Sequence, residues 1–88
     1  MNDHDHPVRD PAVETAVFGT EAVLYDERSG MVHHLNSSAC AIWMLLDGRP
    51  VSDVATALAR ASGTAADDIR RDVLQTIVEL EAAGLLAG

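Results

Sequence analysis

Along these 88 residues the spacing of apolar side chains changes period once, between Leu35 and Asn36, and that change decides what kind of fold the chain can adopt. Upstream lie three short runs, VETAVF (13–18), EAVLYDE (21–27) and GMVHHLN (30–36), in which the pattern is close to the period of 2 of an extended strand. Gly19-Thr20 separates the first two runs, and Asp26-Glu27-Arg28-Ser29-Gly30 separates the second two. Both are turn chemistry. A connection of roughly three to five residues ending in Gly is a common hairpin loop, so strands two and three are expected to pair antiparallel.

Downstream the apolar spacing becomes that of a helix. Asn36 or Ser37 can cap the first helix by accepting a backbone N–H, which puts Ala39, Ile42, Trp43 and Leu46 on one face. Gly48 is expected to end it as a left-handed residue, and Pro50 to prevent its continuation. A second helix is predicted from near Ser52, burying Val54, Ala57, Leu58 and Ala61 and stopping at Gly63. Thr64 and Asp67 have capping-box spacing, and Asp67 and Asp68 suit the positive end of a third helix that reaches about Ala83 before Gly84.

The predicted order is therefore β-β-β-α-α-α, an α+β fold: a three-stranded antiparallel sheet followed by three helices, which resembles a winged helix-turn-helix. Apolar residues make up 48% of the chain and aromatics only 3%, so the core must be built from Ala, Val, Leu and Ile in close-packed helices. A chain this short holds one domain. Residues 1–11 carry charges, two prolines and no apolar period, and read as a flexible N-terminal tail contributing little to folding; the domain is expected to occupy residues 12–88.

Charge and cysteine content narrow the function classes. The formal charge is −8, with six arginines and no lysine, so polyanions such as nucleic acid should be repelled. Cys40 is the only cysteine, which excludes an internal disulfide and a thiolate zinc cluster and fits a reducing compartment, the cytoplasm. The beginning MNDHDHPVRD lacks the basic start and apolar run of a secretory signal, and no stretch approaches the roughly 18 apolar residues of a membrane span.

Two features point to a binding surface. On a helical wheel, Ile69, Val73, Ile77 and Leu80 of the third helix fall within an arc of roughly 80°, enough for the core. Leu74 and Val78 lie outside it, with Arg70, Arg71 and Glu81. Either the small domain wraps this helix on two sides, or the helix presents a half-apolar groove edged by arginines, suited to an apolar peptide bearing acidic groups. Strand three contains neither Pro nor Lys, the usual devices that blunt a sheet edge; if it lies at the edge, it is open to strand addition.

Chemistry-bearing residues offer less. Neighbouring residues on a strand point to opposite faces, so His33 and His34 cannot ligate one metal together. The DHDH at 3–6 has metal-ligand types but no cage, Cys40 sits in an apolar helix with no base nearby, and the acidic residues read as solvation. No phosphate loop or nucleophile motif is present, so no catalytic residue, metal or cofactor is expected.

The segment AVLYDERSGMVHHLNSSACAIWMLLDG, residues 22–48, resembles the PqqD-like proteins, also called RiPP recognition elements: small winged-helix domains that bind leader peptides of ribosomally made natural products. Leu35, Asn36, Ser38 and Ala39 match the family's Leu-Asn-x-Ser/Thr-Ala, and Asp47-Gly48 its helix-ending Asp-Gly. DVLQTIVELEAAGLL, residues 72–86, is similar to its last helix and closing Gly-Leu-Leu, and the likeness spans residues 14–86. The resemblance implies a non-catalytic peptide chaperone to whose strand three the leader adds as an antiparallel strand. Its groove residues would be Met31, Val32, His33, His34 and Leu35 on the strand and Arg70, Arg71, Leu74, Val78 and Glu81 on the helix.

It further implies delivery of the precursor to a modifying enzyme such as a radical-SAM protein, a leader protease or a cyclase, in a pyrroloquinoline quinone or a lasso-peptide pathway. The chain itself is expected to be a monomer or homodimer. Two other readings compete. A winged-helix DNA-binding transcriptional regulator would use Arg70 and Arg71, but three aspartates flank them. A small metalloenzyme would use His4, His6, His33 and His34.

Overall fold

The computed structural model describes residues 6–87, the side chain of Ala66 excepted. Its strands are β1 (Val13–Phe18), β2 (Glu21–Asp26) and β3 (Met31–Leu35); its helices are α1 (Ser37–Met44), α2 (Val51–Ser62) and α3 (Ala66–Ala82). The expected order is present, and the sheet runs β1-β2-β3 with both pairings antiparallel. Gly19 and Gly30 close the two hairpins at φ of 63° and 73°, in the left-handed region where a Cβ is costly. No described helix is long and apolar enough to cross a membrane.

Cross-strand partners share a face, so the register divides the sheet. Val13, Thr15 and Val17 lie with Asp26, Leu24 and Ala22 on the face turned to the helices. Ala22 and Leu24 are fully buried there. Trp43 of α1 is the largest of the fully buried side chains, and its indole N–H donates to Thr15 Oγ1 at 2.8 Å. Leu46, Val54, Val73, Ile77 and Leu85 belong to the same buried cluster.

Asn36 caps α1 as expected, accepting the Ala39 N–H at 2.9 Å. The helix stops at Met44, well before Gly48. The cause is competition for its last carbonyls. The Arg9 guanidinium donates to Trp43 O and Met44 O, and the Arg9 N–H donates to Leu46 O at 3.0 Å, where a continuing helix would place its own N–H groups. Leu46 nevertheless stays buried.

Two helix expectations need correction. On α2 the buried residues are Val51, Val54 and Ala55, with Ala57 and Leu58 half-buried and Ala61 exposed. Leu58 and Ala61 instead line an apolar cleft of about 310 Å³ between the three helices. The Thr64–Asp67 capping box does not form: α3 begins after Ala65 with no side-chain cap, and Thr64 falls one residue too early. Asp67 and Asp68 do occupy its first turn.

The N-terminal tail is also corrected in part. Residues 1–5 lie outside the described residues, but residues 7–10 are bonded into the fold. Pro7 is buried, Gly48 N donates to Pro7 O at 3.1 Å, Ala87 N to Val8 O at 2.9 Å, and Asp10 N to Leu85 O at 3.1 Å. The folded unit thus starts at Pro7 rather than residue 12. Arg28 joins the same corner: its guanidinium reaches Asp26 at 3.0 Å, Asp10 at 2.9 Å and Gly84 O at 2.8 Å. Asp26 is the one charged residue buried among the described residues.

Removing residues 1–10 deletes these backbone bonds, each worth about 1 kcal/mol net. With four such bonds lost, the expected result in a thermal melt is a Tm lower by roughly 15 °C or more, at about 4–8 °C per kcal/mol for a domain this small. The Arg28 guanidinium beside Asp26 holds that carboxyl below its ordinary value. A depressed carboxylate stabilises the fold above the unfolded pKa of about 4 and loses that contribution as pH falls through the folded value. Acid titration followed by circular dichroism should therefore show weaker acid sensitivity in Asp26→Asn than in wild type, from a lower starting stability at neutral pH.

Candidate functional site

β3 pairs with β2 on one side only, and no described strand pairs with its other side. In an antiparallel edge strand every second residue turns its N–H and C=O outward, so β3 offers a row of unused backbone groups. Residues 7–10 do not cover this edge; they are bonded to Leu46, Gly48, Leu85 and Ala87.

The register also separates the β3 side chains. Met31, His33 and Leu35 oppose Asp26, Leu24 and Ala22 on the helix-facing side, while Val32 and His34 oppose Tyr25 and Val23 on the outer side. Leu35 is buried in the core, so it offers a docking segment its backbone only. Met31 and Val32 are exposed and His33 half-buried. His34 Nε2 lies 2.9 Å from Glu21 Oε1 across the β2–β3 pair. The two histidines thus diverge, and no group of three His, Cys, Asp or Glu side chains that could hold a metal occurs among the described residues. Cys40 is buried. Asp3, His4 and Asp5 of the DHDH motif lie outside the described residues.

On α3, Val73, Ile77 and Leu80 are buried and Ile69 half-buried, the four positions the wheel assigned to the core. Leu74 is 37% and Val78 53% exposed, one helical turn apart on a common stripe. Asp72 lines the cleft toward α2, so the Leu74–Val78 stripe lies on the flank turned away from α2. Arg70, Arg71 and Glu81 are exposed beside that stripe. Arg70 and Arg71 make no ion pair with any described residue, which leaves two charge-assisted donors at one end of an apolar strip. Both β3 and α3 pack on α1.

The structure thus places an open edge strand with exposed Met31 and a half-buried His33, and a helix stripe of Leu74 and Val78 headed by two arginines, on elements that both pack against α1. The sequence missed the cleft bounded by Ser38, Ala41, Ile42, Leu58, Ala61, Ser62, Ile69, Asp72 and Val73. Its only local signal is the small residues Ala41 and Ala61 at helix positions otherwise suited to larger apolar side chains.

The exposed stripe should be dispensable for folding. Leu74→Asp and Val78→Asp are expected to keep denaturant midpoints close to wild type, whereas Ile77→Ala, roughly 60–100° around the same helix, should cost about 2–5 kcal/mol.

Comparison with known proteins bears on the same elements. The family model of coenzyme PQQ synthesis protein D matches residues 21–86. Lasso peptide synthetase B1, solved with its leader peptide, is 30% identical with a TM-score of 0.79, covering 94% of this chain and 99% of that one. TbiB1, solved with the TbiA(beta) leader peptide, has a TM-score of 0.83 at 24% identity, covering 92% of this chain and 95% of that one. The PqqD truncation of Methylobacterium extorquens PqqCD, described as a stand-alone RiPP recognition element, has a TM-score of 0.79 at 23% identity over 100% of this chain and 95% of that one. No curated protein sequence matches significantly.

Proposed function

The chain belongs to the coenzyme PQQ synthesis protein D family, and from that footing we propose that it captures the leader of a ribosomally synthesised precursor peptide and presents it to a modifying enzyme. The observation that carries this reading is the open edge of β3, which leaves outward-facing backbone groups for a fourth, antiparallel strand. Main-chain hydrogen bonds to residues 31–35 would supply affinity. Selectivity would come from Met31 and His33 on the strand and from Leu74, Val78, Arg70, Arg71 and Glu81 on α3. Val32 and His34 point to the opposite face and would meet only the outward side chains of the added strand. The chain's role is binding, without catalysis or a cofactor of its own. The enzyme served would be a radical-SAM protein, a leader protease or a cyclase, in a PQQ-type or lasso-type pathway; the B1 relative favours the latter.

A DNA-binding role is the weaker reading. Asp67, Asp68 and Asp72 are exposed around Arg70 and Arg71, and a domain of charge −8 repels the phosphate backbone.

Calorimetric titration of the full chain with the precursor peptide encoded beside its gene should give saturable binding, with amide shifts at residues 31–35 in nuclear magnetic resonance spectra. Leu74→Asp and Val78→Asp should each weaken binding by about tenfold or more, equivalent to about 1.4 kcal/mol. Backbone N-methylation of single leader residues should weaken binding at every second position, the signature of strand pairing. A flat titration, or shifts confined to other elements, would refute the proposal.

A further inference from the structure

Leader capture leaves the outer face of the sheet unused. The register sets Glu14, Tyr25 and Val32 in one cross-strand row and Ala16, Val23 and His34 in the next, with Phe18 opposite Glu21 at the β1–β2 turn. Tyr25 is 41%, Val32 60% and Phe18 65% exposed, and Ala16 is exposed as well. Between β1 and β2 this face carries a depression of about 450 Å³ lined by Glu14, Thr15, Ala16, Val23 and Tyr25. Contiguous apolar surface of this kind, rimmed by polar groups, is characteristic of an interaction site.

The charge on this face has one sign. Glu14 makes no ion pair with any described residue, and Glu21 is answered only by His34. No arginine lies on the outer face, and Arg28 in the nearby loop is committed to Asp10, Asp26 and Gly84. A cationic side chain entering the depression would meet the Glu14 carboxylate and the Tyr25 ring together, an ion pair and a cation–π contact in a partly desolvated place. A second copy of the chain fits worse, because it would set Glu14 and Glu21 against the same carboxylates.

We propose that this outer face docks the enzyme that acts on the captured precursor, through an apolar patch of that enzyme bearing an arginine or lysine that seats beside Glu14 and Tyr25. The inference rests on the leader-capture reading for the identity of the partner. A strand added to β3 would extend the sheet, so its alternate side chains would emerge beside Val32 and His34 on this same face. The docked enzyme then touches the sheet and the leader at once. Leader and enzyme therefore strengthen each other's binding by equal factors, as linkage requires.

The test titrates the full chain with the purified leader protease, radical-SAM protein or cyclase whose gene neighbours its own, with and without saturating precursor. Enzyme affinity should rise at least threefold when the precursor is present. Tyr25→Ser and Glu14→Lys should each weaken enzyme binding at least tenfold while leaving precursor affinity within twofold of wild type, the charge reversal serving as the fold-neutral variant. Leu74→Asp should do the opposite, losing the precursor while keeping the precursor-free enzyme affinity. Unchanged enzyme binding in both outer-face variants overturns the proposal. So does sedimentation showing that the wild type pairs with itself through this face and that Tyr25→Ser abolishes the pairing. If the wild type fails to bind precursor, the capture reading fails, and the precursor-free enzyme titrations still decide the docking face.

Discussion

The fold depends on where residues 8–10 spend their backbone hydrogen bonds. An open sheet edge is readily covered by any extended segment that reaches it, since unpaired N–H and C=O groups are costly to leave dry. Here Arg9 bonds to Leu46, Asp10 to Leu85 and Ala87 to Val8, at the far end of α1 and beyond the end of α3. The same bonds bring Arg9 onto the last carbonyls of α1 and Asp10 onto Arg28. One short segment thus terminates a helix, completes the buried Asp26 ion pair and leaves β3 free.

That arrangement also explains what could be read from the residues alone. The strands, the hairpins, the Asn36 cap and the two faces of α3 are consequences of local chemistry: alternation, a glycine in a turn, an amide side chain three residues before an N–H, a period of 3.6. Leu74 and Val78 could be singled out as surplus to the core because their angular position is fixed by helix geometry. The end of α1 could not be read, since it is decided by Arg9, more than thirty residues upstream, and Gly48 kept its left-handed geometry in a turn of its own. Pro7 to Asp10 looked like tail because charge and proline mask a segment whose contribution is main-chain pairing, which no composition reveals. Leu35 followed the alternation as the last residue of an accessible strand, yet its inward side puts it in the core.

An exposed edge is a hazard as well as an opportunity, and the chain limits it without the usual lysine or proline. β3 is only five residues long, and its outward neighbours include a histidine already engaged by Glu21. The charge of −8 makes like copies repel at the distances where strands would begin to pair. On the proposed leader-capture reading, a foreign strand escapes this penalty if it is neutral or brings its carboxylate to Arg70 and Arg71, which make no ion pair with any described residue. The balance of charge then does what a blunted edge does in other sheets: it separates self from ligand while keeping the backbone rim usable. On that reading, excess acidity and the arginine pair of α3 are one device, the first discouraging indiscriminate edge pairing and the second setting the chemistry of the segment that would overcome it.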